Sequence, residues 1–351
     1  MLAVESKVAS ARAIDSPDAD PNRSWKHIVE PVEPFLQAVS RQLMLQVSEF
    51  DPQILPYAQY ALDGGGKHLR PILVALSAGT LGSVTGAHVT AAVIIEMVHL
   101  ATLVHDDVLD EAEIRRDRPT LAANWGNEIA VLFGDCLFAQ ALKLAASFPT
   151  PDVCRSVAVA TNTVCSGEIL QTQHRRKFPV SRREYFRVIG MKTAELFTLS
   201  GELAAFLSGT TAKRRAALRQ FGAAFGTAYQ VYDDCMDLFG TEAAAGKSLG
   251  TDLAKGKLTW PVLLAWERAN AADRTRLEKM VESWQPASLA AVNELLARYE
   301  TFGPSQEVIN NYLEQARRAL RVLPESEGKA GLLGLADFLE QQTGLLAVCT
   351  G

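Results

Sequence analysis

The segment that most constrains this chain runs from Ile95 to Arg116 and reads IEMVHLATLVHDDVLDEAEIRR. It begins as an apolar run at helical period and ends in a burst of charge: Asp106, Asp107 and Asp110, then Glu111 and Glu113, then Arg115 and Arg116. In a helix Asp106 and Asp110 stack on one face, one turn apart. Two stacked carboxylates repel by about 0.2–0.5 kcal/mol, and the C-terminal end of a helix already carries partial negative charge. Such an end needs a cation. The segment AYQVYDDCMDLFG (Ala228 to Gly240) repeats the design with Asp233, Asp234 and Asp237. Two apolar helices with the same D-D-x-x-D end are expected to face each other across one cavity.

The rest of the chain reads as the frame for that cavity. Pro34, Phe35, Ala38, Val39 and Leu43 fit a first amphipathic helix. The spacing predicts further helices over 71–81, 86–107, 128–147, 151–175, 182–191, 193–207, 212–238, 258–270, 273–283, 289–300, 305–322 and 331–346. No segment alternates credibly at period two. The expectation is an all-α, single-domain bundle over residues 25–351, surrounding a central apolar cavity and preceded by a flexible polar tail over 1–24. A chain of 351 residues that is 48% hydrophobic can bury a core of that size.

Charge and cysteine usage narrow the class. A net charge of −5 argues against general affinity for nucleic acid or an anionic membrane. Cys136, Cys154, Cys165, Cys235 and Cys349 form no C-x-x-C pair and read as thiols of a reducing compartment. The first 24 residues lack the apolar stretch of a secretory signal, and no charge-free run elsewhere is read as one that would span a bilayer. A cytoplasmic protein without a transmembrane segment is expected.

Carboxylates without cysteine or paired histidine ligands favour a hard cation, Mg2+ or Mn2+, over zinc. Mg2+ prefers one or two carboxylates plus substrate phosphate oxygens. Two aspartate clusters therefore read as two sides of a clamp holding Mg2+ on a diphosphate. The cations agree. Lys67 and Arg70 sit in the loop GGGKHLRP, and Arg115 and Arg116 follow the first acidic cluster. Lys192 and Thr193 lie in GMKTAELF, between two predicted helices, and Lys247 and Lys257 lie in a Gly-rich loop after the second cluster. Each alone reads as a surface charge. Together they suit two anionic groups, one bridged by metal and one held by basic side chains.

The motifs GGGKHLRP, HDDVLDEAEIRRDRPT, GDCLFAQ, MKTAELF, YQVYDDCMD and GKSLGTDLAKGKLTWP occur in this order. In them the chain resembles the trans-isoprenyl diphosphate synthases, from about Glu30 onward. The resemblance implies Mg2+-dependent head-to-tail condensation of isopentenyl diphosphate with an allylic diphosphate (farnesyl or geranylgeranyl) by a homodimer. Carried over by motif, Asp106, Asp110 and Asp233 would bind about three Mg2+ ions, with Asp237 acting through water. Arg115, Lys192, Thr193, Gln230, Lys247 and Lys257 would hold the allylic diphosphate. Lys67, Arg70, His99 and Arg116 would hold isopentenyl diphosphate without metal. By itself His99 reads as a core histidine.

Product length is a packing question. The chain would grow away from the aspartates along the preceding helix, past Ala101, Val98 and Met97. Each five-carbon unit buried gains about 4 kcal/mol at about 0.8 per carbon, so growth continues to a steric floor. Short-chain members typically carry bulky aromatics just before the first motif, where this chain has Ala101 and Thr102. A medium-to-long all-trans product is expected, with a geranylgeranyl or farnesyl product as the alternative, and Ala101→Phe should shorten it. Two departures stand out: Asp117 follows the paired arginines where the resemblance leads one to expect a small residue, and the C-terminus lacks a basic tail. A terpene cyclase would need an Asn-Ser/Thr-Glu second metal motif, and a non-catalytic subunit would have lost one aspartate motif; both are intact here.

Overall fold

The computed structural model describes residues 21–242 and 248–349. Lys247 and residues 1–20 of the expected tail lie outside the described residues. The helices are α1 (Pro21–Val29), α2 (Glu33–Val47), α3 (Leu55–Leu62), α4 (Leu69–Gly79), α5 (Gly86–Leu109), α6 (Leu121–Trp125), α7 (Asn127–Ala146), α8 (Asp152–His174), α9 (Arg182–Ile189), α10 (Glu195–Leu207) and α11 (Ala212–Phe239). Helices Trp260–Arg268, Ala271–Glu282, Ser288–Arg298, Phe302–Ala319 and Glu327–Cys349 follow. The first helix thus begins at Pro21, four residues before the expected domain start. Among the described residues the sheet content is one antiparallel pair, Ile114–Arg115 with Arg118–Pro119.

Helix α5 shows why these residues fold as they do. Its start is fixed by Thr85, whose N–H donates to His88 Nδ1 at 3.0 Å, satisfying one of the free donors at a helix N-terminus. Its length and apolar composition would suffice to cross a bilayer, as would those of α7. Here both helices pack into the bundle: α5 lies against α4, α7 and α10, burying Val93, Ile94, Ile95, Met97, Val98 and Ala101. Each fully buried Ile or Leu contributes about 1.5–3 kcal/mol. Trimming one such side chain, as in Ile94→Ala, costs about 2–5 kcal/mol.

Helices α10 and α11 close the centre, with Phe302–Ala319 behind α11 and the C-terminal helix over α4. A smaller apolar cluster of Leu253, Val262, Leu277, Val281, Val292, Leu295 and Leu296 gathers the later short helices. The frame leaves the C-terminal ends of α5 and α11 facing one space.

Candidate active site

That space is a cavity of about 1110 Å³. It is bordered by Asp106, Asp107 and Asp110 from the end of α5, and by Gln230, Asp233 and Asp234 from α11. Lys67, Arg70, His99, Arg115, Arg116, Lys192, Thr193 and Lys257 line it as well. The sequence expectation of two acidic helix ends across one cavity therefore holds.

The aspartates differ in their partners. Asp106 Oδ2 lies 3.3 Å from Lys192 Nζ. Asp110 takes Lys257 Nζ at 2.6 Å and Arg175 Nη2 at 2.7 Å, with Lys255 Nζ at 3.6 Å. Burial alone would raise the Asp110 pKa, but Lys257 and its cationic neighbours outweigh it and hold the carboxyl below its usual range. Asp107, only 6% exposed, receives Arg115 Nε on both oxygens at 2.8 and 3.0 Å. Its burial wins over Arg115 and raises its pKa.

Asp237 differs from the other aspartates of the two clusters. It is fully buried and does not border the cavity. Its carboxylate accepts from Thr251 Oγ1 at 2.8 Å, from the Thr251 N–H at 3.3 Å and from the Asp252 N–H at 3.1 Å. It thereby anchors the start of the short helix Thr251–Ala254, on the segment that brings Lys255 and Lys257 to Asp110.

Lys192 and Thr193 lie between two helices, as the sequence leads one to expect. They sit in a π-helical turn, Gly190–Ala194, that joins α9 to α10, and such turns recur at functional sites. The turn is seated on α8 at Gly167, where an added Cβ would come within 2.8 Å of the Lys192 nitrogen. Lys192 Nζ pairs with Glu168, donates to Gln171 Oε1 at 2.9 Å, and reaches Asp106. Burial, reinforced by Asp106, pushes Glu168 above the usual carboxylate range.

Thr193 Oγ1 donates to Gln230 Oε1 at 2.6 Å, and Gln230 Nε2 donates to Asp234 Oδ1 at 2.9 Å. Asp234 Oδ2 accepts the Tyr185 hydroxyl at 2.6 Å and the Trp260 N–H at 3.0 Å. Burial and Asp252 push Asp234 up to about 7 against the three donors that hold it down.

The opposite wall carries the second cation set. Arg70, in the first turn of α4, stacks over Phe197 at 4.6 Å, and its buried Nε has no hydrogen-bond partner among the described residues. Arg116 Nη1 donates to Gly64 O at 3.2 Å; a Cβ on Gly66 would fall within 2.8 Å of the same guanidinium. Gly66 is therefore what lets Arg116 approach this loop. Burial, with Arg70, Arg116 and Arg115 nearby, drives His99 well below its ordinary pKa. It is a neutral imidazole at neutral pH rather than a third cation.

Arg115 and Arg118 pair across a hairpin whose turn is Arg116 and Asp117, with φ of 52° and 59°. Two positive φ values define the type I′ turn that matches strand twist.

Four neighbours of the aspartates were not picked out from the sequence: Glu168, Gln171, Arg175 and Lys255. The first two had a signal, since they are polar residues at i, i+3 on α8. The other two reach the site through loops. Met97, Val98 and Ala101, assigned to product length, are buried in the core and none borders the cavity. Thr102 and Leu103 border it instead, facing Phe138 of α7 and Val164 and Ile169 of α8.

Among the described residues no three His, Cys, Asp or Glu side chains could hold a metal ion by themselves. The donor set nonetheless suits Mg2+, which takes one or two carboxylates and completes its shell with phosphate oxygens and water. The unpartnered Nε of Arg70 suits an anion held without metal. The arrangement can hold two diphosphates beside an apolar wall.

Known proteins match over the same residues. The Polyprenyl synthetase family model covers residues 51–299. The chain is 36% identical over 316 residues to the octaprenyl diphosphate synthase of Haemophilus influenzae, spanning 89% of this chain and 95% of that protein. It is 30% identical over 317 residues to a short chain isoprenyl diphosphate synthase of Methanothermobacter thermautotrophicus, spanning 89% and 98%. A decaprenyl diphosphate synthase structure from Rhodobacter capsulatus aligns with a TM-score of 0.86 at 31% identity, over 92% of this chain and 99% of that one. With fold, motifs and kinship in agreement, the chain belongs to the polyprenyl synthetase family and is a trans-isoprenyl diphosphate synthase, a transferase of prenyl groups.

Proposed function

We propose that this cavity condenses isopentenyl diphosphate with an allylic diphosphate, farnesyl or geranylgeranyl, to an all-trans polyprenyl diphosphate of medium-to-long chain. The observation that carries the reading is the pair of acidic helix ends across one cavity, flanked by two separate cation sets. Asp106, Asp110 and Asp233 would hold Mg2+, which when bound supplies positive charge where the departing diphosphate gains negative charge. Lys192, Lys257 and the free edge of Arg115 bind the allylic diphosphate. Lys67, Arg70 and Arg116 bind the isopentenyl diphosphate through charge alone, with neutral His99 beside them.

As the allylic C–O bond breaks, the isopentenyl double bond attacks the allylic carbon and a proton leaves with the released diphosphate. No protein nucleophile takes part. Thr102, Leu103, Phe138, Val164 and Ile169 give the allylic cation an apolar wall with no competing water.

Two lines support a medium-to-long product: the likeness to octaprenyl and decaprenyl synthases, and Thr102, not an aromatic, one turn behind Asp106 on the cavity wall. The short-chain relative supports the second reading, a geranylgeranyl or farnesyl product. The exposed apolar residues Val131, Leu132 and Val159 of α7 and α8 support a homodimer. The test is incorporation of labelled isopentenyl diphosphate. It should require Mg2+, stop with a chelator, and fall at least about 100-fold in Asp106→Ala or Asp233→Ala. Turnover unaffected by the chelator and by both substitutions would overturn the reading.

A further inference from the structure

The middle aspartates of the two acidic clusters are both buried, and both face protein donors. Asp107 receives Arg115; Asp234 receives Gln230, Tyr185 and the Trp260 N–H. Around Asp234 these donors leave one orientation for the Gln230 amide. Oδ2 of Asp234 is taken by the Tyr185 hydroxyl and the Trp260 N–H, and its Oδ1 accepts from Gln230. What meets Asp234 Oδ1 from Gln230, one turn earlier on α11, is therefore the NH2 group. The Gln230 carbonyl then turns to Thr193, whose hydroxyl donates to it at 2.6 Å. That commits the one hydroxyl proton of Thr193. Where the two side chains meet, lone pairs on the Thr193 hydroxyl and the Gln230 carbonyl are left, and both residues line the cavity.

We propose that Asp234 and Tyr185 are positioning residues for prenyl transfer, fixing the Gln230 amide with its carbonyl toward Thr193. The inference rests on prenyl transfer as the reaction of this cavity. Oxygen lone pairs held in place beforehand favour the positive charge that forms on the allylic carbon as its C–O bond breaks. A turned amide would present N–H groups to that charge instead. Gln230 thus acts through its oxygen more than as a donor to the diphosphate.

Because the pair is an acid facing an amide, its polarity can be exchanged without changing shape. In Asp234→Asn the new NH2 donates to Gln230 and turns its amide. Adding Gln230→Glu restores an oxygen toward Thr193, while the carbonyl of the amide introduced at position 234 still accepts from Tyr185 and Trp260.

The experiment is steady-state kinetics of the full chain with Mg2+, isopentenyl diphosphate and farnesyl diphosphate, on both single variants, the double variant and Tyr185→Phe. In Asp234→Asn kcat should fall about 100-fold, with both KM values and the half-saturating Mg2+ concentration within about threefold of the parent. The double variant should recover kcat to within about tenfold of the parent. Tyr185→Phe, which folds without a new polar atom, should lose about three- to tenfold in kcat alone. A half-saturating Mg2+ concentration that rises more than about tenfold in Asp234→Asn would make Asp234 a metal ligand and overturn the proposal. A double variant no better than the poorer single variant would overturn it too, as would unchanged kcat in Tyr185→Phe. If the parent chain makes no elongated product, the reading of the reaction fails instead.

Discussion

Lys257 Nζ lies 2.6 Å from Asp110 Oδ2, although 147 residues separate them in the chain. The contact ties the loop after the second acidic cluster to the last aspartate of the first. Both side chains are largely buried, so each depends on the other more than a surface pair would.

Lys257→Met should therefore weaken the substrate-free protein by about 1–3 kcal/mol, less than a full orphaning because Arg175 remains 2.7 Å from Asp110. Urea titration measures this. The sign with pH follows from the depressed Asp110 pKa. The stability it contributes is present above the unfolded carboxylate value of about 3.9 and is lost as pH falls through the lower folded value. Removing Lys257 should move the acid unfolding transition to higher pH.

Product length should respond to Thr102 rather than Ala101. Thr102→Phe puts an aromatic ring into the cavity wall and should shorten the product by at least one five-carbon unit, read by mass spectrometry of the dephosphorylated alcohols. Ala101→Phe should instead overpack the core and lower stability by about 1–3 kcal/mol.

The turn at Arg116 and Asp117 explains the departure seen in the sequence. Aspartate tolerates the left-handed conformation that the second turn position requires, and a β-branched residue does not. Asp117→Gly should leave stability and kinetics near those of the parent. Asp117→Val should swing Arg116 off its loop and raise KM for isopentenyl diphosphate about tenfold or more, with a smaller effect on the allylic substrate.

What the sequence revealed and concealed follows from these residues. The helices, the paired acidic ends and the cations of the flanking motifs were legible, because periodicity and motif order survive without tertiary information. Rotation about a helix axis was harder to read. Ala101 lies five residues before Asp106 and so about 140° around the helix, whereas Thr102 lies about 40° away. Of the two adjacent residues, Thr102 borders the cavity and Ala101 is buried away from it. Asp237 shares the i, i+4 spacing of Asp110, but Thr251 and the Asp252 N–H take up its carboxylate, and nothing in the pattern D-D-x-x-D announces that. Arg175 and Lys255 were hidden for a similar reason, since only the folded loops bring them to Asp110.

His88 makes the pH dependence at the other end of α5 predictable. Its Nδ1 accepts the Thr85 N–H, which requires a neutral ring, and burial lowers its pKa. Above about pH 6.5 folded and unfolded chains are both neutral at this residue. Below that value the unfolded chain takes up a proton that the folded one refuses, so stability falls until the folded pKa is reached. The drop in Tm between pH 7.5 and 5.5 should be smaller in His88→Asn than in the parent.

The most direct test of prenyl elongation in this cavity is to size the products made by the purified chain alone with Mg2+, farnesyl diphosphate and excess labelled isopentenyl diphosphate. All-trans products of about heptaprenyl to decaprenyl length should accumulate until the wall formed by α5, α7 and α8 stops growth. Products ending at geranylgeranyl, or no elongation by the chain alone, would contradict the proposed function.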